Sequence, residues 1–292
     1  MAVVACLFFA LAHPANAPLT PIAAAAPDDA LRTFHALGLA HALVAITFIL
    51  CASIVLSIGS RLRRRDPSTA AETAFAHRLG VVGLLVWILA NGYGFLPGVF
   101  EWRLALPIHV CDIAALLGPL VMLRASPPPW MRGLLYFAGI GLCTQAFITP
   151  TLHEGPADPQ FWCFWSGHFF ILIPALYELI VRRWRPTWRH WRIACGLSLG
   201  YVAVMLPLNL ASGWNYGFVG PETKPGTIIE VLGPWPWRVG VMVLLTAIAY
   251  TCMMLPWTLR AHNAGSDDEG GRPGSRHRAA PPDPGLPSSD PA

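Results

Sequence analysis

Seven long apolar stretches joined by short, arginine-bearing connections leave this chain few folds to choose from. They run over residues 34–59, 79–97, 104–123, 133–150, 164–181, 193–211 and 238–257 and hold 18 to 26 residues each. A helix rising ~1.5 Å per residue needs about 20 residues to cross a hydrocarbon core of about 30 Å. Pro119, Pro174 and Pro207 fall inside three of them; membrane helices tolerate this because neighbouring groups take up the freed carbonyls. The expected fold is all-α, a polytopic membrane protein of seven transmembrane helices over residues 34–258. Only 12% of residues are charged, against about 25% in a soluble domain, so much of the surface must face lipid rather than water. No basic stripe interleaved with aromatics exists to recruit nucleic acid. Membrane lipids are the expected partners, in a multi-pass protein of the cell membrane.

Orientation follows from the basic residues. Of the 20 Lys and Arg, sixteen fall in loop 60–78, around Arg124 and Arg132, in the run Arg182 to Arg192, and in the C-terminal tail. Four, Arg32, Arg103, Lys224 and Arg238, fall on the other side. The positive-inside rule then places the N-terminus outside and the C-terminus inside. Trp102, Trp162, Trp165, Trp235 and Trp237 would form the outer aromatic belt, and Trp130, Trp184 and Trp257 the inner one.

Residues 1–33 form a signal-like or external N-terminal segment. Ala15-Asn16-Ala17 resembles a signal-peptidase site, but the charged n-region is missing, and a cleaved signal peptide and a mis-assigned start codon fit equally well. Residues 259–292, rich in Gly, Pro, Ser and Asp, read as a disordered cytoplasmic tail. The seven cysteines occur singly, with no CxxC pair to suggest a zinc site or a redox motif.

Ionisable groups inside spans are costly and therefore default to functional candidates. With the third helix starting near Leu104, Asp112 lies about 12 Å below the outer boundary. His109 and Asp112, spaced i, i+3, share a face, whereas Cys111 lies on another azimuth and would need a base from a different helix. His168, in a fifth helix starting near Trp162, lies about 9 Å deep, close to the level of Cys111. Gln145, Asn209, Asn215, His35, His41 and Asn91 also fall in or near the outer halves. Glu178, i, i+4 from Arg182, is the main polar residue of the inner halves. This sorting by depth predicts a polar cavity open towards the outer leaflet.

Each candidate also has a structural reading. His109 and Asp112 would lock the third helix to its neighbours, and Cys111 would be a small buried residue without a basic neighbour to activate it. A Cys111–Cys163 disulfide is another alternative. His168 would be a satisfied interhelical histidine, His35 and His41 interfacial polar groups, Asn215 and Tyr216 the makings of a turn, and Glu178–Arg182 an ordinary ion pair. His41, His109, Asp112 and His168 have no recognised ligand spacing, so neither a metal nor a cofactor is expected.

Four blocks in order carry a resemblance: LPIHVCDIAALLGPL at 106–120, WSGHFF at 165–170, SGWNYGF at 212–218 with Lys224-Pro225, and Gly233-Pro234-Trp235-Pro236-Trp237. Together they span roughly residues 35–258 and resemble the YwaF-like integral membrane protein family of bacteria. That family is similar to an animal family implicated as phospholipid acyltransferases, with a membrane-embedded cysteine as acyl carrier. The resemblance implies Cys111 as nucleophile and a nearby histidine, His168 or His109, as base. Asp112 would orient His109, Asn209 or Asn215 would donate to the oxyanion, and Gln145 and His41 would complete the substrate site. The alternative is a non-catalytic binding or transport protein for a small polar or lipidic solute, using the same groups without covalent chemistry.

Overall fold

The computed structural model describes residues 31–222 and 228–270, which are helical apart from turns, loops and one isolated bridge, Thr33 to Glu154. Helix α1 covers Leu39–Arg65, α2 Ala70–Tyr93, α3 Val110–Met122, α4 Pro129–Leu134, α5 Pro159–Ile180, α6 Trp188–Ser212 and α7 Trp237–Gly270. Five of them, α1, α2, α5, α6 and α7, are long and apolar enough to cross a membrane. Ile46, Leu50, Ile54, Leu89 and Val204 lie more than half exposed on α1, α2 and α6, a density of outward apolar side chains suited to lipid rather than water. A compact unit ends at Leu255. From Pro256 a second unit follows, helical to Gly270, so the helix continues into the stretch expected to be a tail. Residues 1–30 and 271–292, with the expected signal-like segment and most of the tail, lie outside the described residues.

The third and fourth apolar segments are not single long helices. Trp102–Ala105 forms one helical turn, the chain then extends through Leu106, and α3 begins only at Val110. Pro107 explains the interruption, because its ring disfavours the helical conformation at Leu106 and it has no N–H to donate. The fourth segment starts as α4 behind Pro129 at a first-turn position, widens to a π-helix over Leu135–Ile140, and tightens to a 3-10 helix over Cys143–Phe147. The Thr144 hydroxyl bonds back to the Ile140 carbonyl at that change of pitch. Such irregular backbone is tolerated at membrane depth where protein surrounds it, and Leu135 to Ile140 are all buried.

Helix α3 packs most extensively on α5 and α2. At Gly118 the two backbones come so close that a Cβ would land on the Phe170 carbonyl oxygen, and Gly167 faces Ala115 one turn away. These paired positions advance together, so α3 and α5 run parallel. Gly80 on α2 sits equally tight: a Cβ there would be 2.9 Å from the Leu123 amide and the Pro119 carbonyl. Small residues at such positions let membrane helices approach closely. Between α1 and α2, Asp66 accepts from the Ala71 amide at 3.0 Å and the Ser68 hydroxyl at 2.6 Å, and these bonds hold its carboxyl below the usual carboxylate range.

At one end of the bundle five charged side chains interlock. Glu72 of α2, 1% exposed, pairs with Arg63 at 2.9 Å and Arg182 at 3.2 Å. Arg182, 4% exposed at its side chain, also reaches Glu178 at 2.7 Å, and Glu178 binds Arg132 at 2.7 Å. Arg182 further donates to the Arg124 carbonyl at 2.9 Å. The expected Glu178–Arg182 pair is thus part of a network joining α1, α2, α4 and α5. Trp165 also departs from expectation: it is buried rather than interfacial, stacked 5.7 Å from His41 in a cluster with Phe34, Val44, Leu152 and Phe161. Trp102, Trp130, Trp162 and Trp237 are exposed.

Glu72→Ala leaves Arg182 facing one carboxylate in a site closed to water. Stripping one partner from a buried ion pair costs about 3–5 kcal/mol. Reversible unfolding in mixed micelles should show a loss of that order, and wild-type stability would mean that water already reaches the network.

Candidate functional site

The extended segment before α3 is held from two sides. The Tyr216 hydroxyl donates to the Trp102 carbonyl at 3.0 Å and accepts from the Leu106 amide at 3.1 Å. The Tyr201 hydroxyl of α6 donates to the Ile108 carbonyl at 2.9 Å. Tyr216 is itself fixed by Asn209, fully buried near the end of α6, whose amide donates to the Tyr216 carbonyl at 2.8 Å and accepts from its N–H at 2.9 Å. Gly217, at φ +66°, would bring a Cβ to 2.7 Å from the Tyr201 ring, so only glycine fits there. Its N–H points at His109 Nδ1, 3.4 Å away, and the His109 ring packs 4.7 Å from that of Tyr216.

His109 is therefore the residue before α3 rather than a group midway down a helix, and Cys111 and Asp112 occupy the first turn. Asp112 Oδ2 accepts the His109 backbone N–H at 3.0 Å, in a capping-box arrangement. The carboxylate thus engages the His109 backbone N–H. Trp87 Nε1 donates to the Asp112 carbonyl at 3.0 Å and ties this turn to α2. The Cys111 thiol points at Asp112 Oδ1, Sγ to oxygen 3.9 Å. Cys143, from the 3-10 segment, is also close enough to interact electrostatically with both residues. Cys111, Cys143 and Cys163 are free thiols, so no Cys111–Cys163 disulfide is formed.

The other candidates stand apart. The register of α3 against α5 sets His168 level with Leu116, five residues below Cys111, or roughly 7 Å at 1.5 Å per residue. The equal depth expected from sequence fails because α3 starts six residues later than Leu104. His168 Nδ1 lies 2.7 Å from the Phe164 carbonyl, and its ring packs 4.3 Å from that of Phe164. His41 is doubly satisfied, by the Leu37 amide at Nδ1 (2.9 Å) and the Phe147 carbonyl at Nε2 (3.1 Å). Gln145 bonds to the Thr149 hydroxyl. Asn215 folds its own loop, donating to the Glu222 carbonyl and accepting from the Gly220 amide, both at 2.9 Å. Asn209 and Asn215 are thus engaged with backbone and do not reach Cys111 in this arrangement. Among the described residues no three His, Cys, Asp or Glu side chains converge as a metal site would require.

The space against the Val110, Ile113 and Ala114 face of α3 is apolar, not polar. A cavity of about 670 Å³ lies between α3, α4, α6 and α7, lined among others by Val110, Ala138, Gly196, Tyr201 and Val239. Of the polar groups that sequence reasoning placed around a polar cavity, Asn209 and Asn215 are engaged by the loop that carries Tyr216, and His41, Gln145 and His168 do not line this cavity. A second, larger crevice of about 1330 Å³ runs between α1, α2 and α5, with His35, Tyr93, Cys163 and Ser166 on its walls. Two positioning residues escaped the sequence reading. Tyr201 looked like an ordinary aromatic of a span. Arg238, counted as an external loop charge, is 2% exposed and donates to the Gly220 and Glu222 carbonyls at 2.5 and 2.6 Å.

Long outward apolar helices around a half-buried thiol–carboxylate pair define a helical, multi-pass membrane protein. Within that class a family model identifies it: the TMEM164 family matches residues 35–255, and the chain belongs to that family. No curated protein and no solved structure matches it.

Asn209→Ala removes both bonds that pin Tyr216 and orphans a buried backbone amide and carbonyl. The expected loss is about 1–3 kcal/mol for each unsatisfied group, read as a lower unfolding midpoint. Faster hydrogen exchange at residues 102–109 should accompany it if Tyr216 holds that segment. Unchanged exchange there would break the proposed chain of support.

Proposed function

We propose that this TMEM164-family protein is a lipid acyltransferase that carries the acyl group on Cys111. One observation carries the reading: Sγ of Cys111 lies 3.9 Å from Asp112 Oδ1 while the other carboxylate oxygen is pinned on the His109 amide, and Val110 beside them lines a wide apolar cavity. The resemblance of the four sequence blocks to the YwaF-like family, itself similar to an animal family implicated as phospholipid acyltransferases, supports it.

In the first half-reaction Sγ attacks the acyl carbonyl of a lipid ester as its proton passes to Asp112. The carbonyl–oxygen bond breaks, and the departing alkoxide of the deacylated lipid takes that proton. In the second half-reaction an acceptor hydroxyl gives its proton to Asp112 and attacks the thioester carbonyl. The carbon–sulfur bond breaks, and the thiolate recovers the proton. His109 accepts at Nδ1, which leaves the hydrogen on Nε2 and makes that nitrogen a donor for the oxyanion. Asp112 is the nearer acceptor to Cys111. His168, with Nδ1 on the Phe164 carbonyl of its own helix, has no part in the proton transfer of this reading.

The reading sets the chain across the cell membrane seven times, with α3 and its preceding turn as the third crossing and the α–π–3-10 segment as the fourth. The N-terminus is outside, so Cys111 works in the outer leaflet and the Glu72–Glu178 network lies at the cytoplasmic face, among the arginines that the positive-inside rule counts. Because the cavity lining is apolar, a lipid-binding protein without chemistry is the second reading.

Phospholipid vesicles mixed with purified protein should yield a hydroxylamine-labile acyl adduct on Cys111 by mass spectrometry. Cys111→Ala should abolish adduct and transfer, and Asp112→Asn should slow transfer by about 10²–10⁴-fold, the usual worth of a positioned acid–base group. Full lipid remodelling by Cys111→Ala would remove the mechanism and leave the binding protein.

A further inference from the structure

We infer that the cavity between α3, α4, α6 and α7 admits one acyl chain at a time, and that Gly196 at its far end sets the longest chain it takes. This rests on the acyl-transfer reading for the thiol, but the chain pocket itself is argued from shape and lining.

The lining excludes a headgroup. Two of its polar side chains are already engaged, Ser198 with the Tyr250 hydroxyl at 3.1 Å and Tyr201 with the Ile108 carbonyl at 2.9 Å. Among the described residues no charged side chain lines it, so a phosphate placed there would lose its water without gaining a counter-charge. Only a hydrocarbon moiety suits such a wall. Its volume, about 670 Å³, falls within the ~300–1,000 Å³ range of pockets built for one small molecule. The lining follows α6 from Cys195 to Met205, about 15 Å at 1.5 Å per residue.

The polarity of the cavity is set by its contact with the thiol segment. Tyr201 bonds to the residue two before Val110, so the Tyr201 level is the level of the reacting carbonyl. Gly196 lies five residues further along α6, roughly 7 Å deeper, at the end that Leu134 of α4 also lines. A Cβ at Gly196 meets nothing within 4 Å. A larger side chain there enters open cavity space without displacing the backbone, and so shortens the pocket while sparing the fold. Leu197 and Leu199 beside it are exposed, which leaves this wall facing the bilayer from which a chain would enter.

The test uses the full chain in lipid nanodiscs, with phosphatidylcholines carrying a photoreactive diazirine at the end of either an octanoyl or a butanoyl chain. In wild type and in Cys111→Ala alike, the octanoyl probe should label residues 195–205. Gly196→Leu should cut that labelling roughly tenfold, the loss expected when about two methylenes can no longer be buried, and should leave butanoyl labelling unchanged. In wild type against Gly196→Leu, the acyl adducts on Cys111 should shift to shorter chains. Labelling confined to the crevice between α1, α2 and α5, a cross-link to a second copy through α6, or an adduct profile indifferent to Gly196→Leu would each overturn the inference. Labelling of residues 195–205 that responds to Gly196→Leu, with no adduct on Cys111, would uphold the pocket and sink the catalytic reading alone.

Discussion

The close contact of α3 with α5 governs where everything else can be. At Gly118 no side chain separates the two helices, and the Phe170 carbonyl occupies the space a Cβ would need. With Gly80 allowing α2 equally near, α3 becomes the central element of the bundle, short but wedged. Its first turn, with Cys111 and Asp112, is thereby held at a fixed height among its neighbours. The 13-residue length of α3 is a consequence of the same arrangement. A longer helix would carry the thiol away from Tyr201, whereas the break at Pro107 lets the chain turn and be gripped by Tyr216 and Tyr201 instead.

The bundle divides its polar groups between two jobs at opposite ends. At one end, carboxylates and guanidinium groups satisfy one another, and the cost of burying charge is offset by several simultaneous pairs around Glu72 and Glu178. At the other end, amides and hydroxyls satisfy backbone groups that irregular structure leaves exposed. Asn209, Asn215, Tyr216, Tyr201 and Arg238 all act on carbonyls or N–H groups of loops or extended chain. In a bilayer such groups have no water to turn to, so these side chains are the condition for having a loop there at all.

The broad architecture was legible in sequence because lipid imposes a length and a composition that few residues can evade. Five of the seven apolar stretches became the long helices that their length and composition promised. The third and fourth did not, since hydropathy registers apolar content and not pitch: neither Pro107 nor the glycines around the π-helix lower it enough to mark a break. Depth reckoned from an assumed helix start therefore erred for Cys111 and His168. The ion network was half visible, because Glu178 and Arg182 are four residues apart. Glu72, whose partner Arg182 lies 110 residues away, shows no local sign of it. Trp165 misled in the other direction, since an aromatic near a span end reads as interfacial whether or not a histidine stacks on it. The 212–218 block signalled its importance but not its role, which is to support His109 from outside α3.

A thiol that carries an acyl group, as proposed for Cys111, needs an acceptor for its proton that is itself prevented from wandering. Asp112 meets that need through its position in the helix. Its Oδ2 is spent on the His109 N–H at the start of α3, so Oδ1 faces Cys111 with little rotational freedom. The carboxylate that caps α3 and the one proposed to take the proton are the same group. The i, i+3 spacing of His109 and Asp112 therefore matters through the backbone, while the histidine ring packs against Tyr216 and the Gly217 N–H. Folding of α3 and readiness of the thiol are then one event, and any change that unravels the first turn removes the acceptor with it.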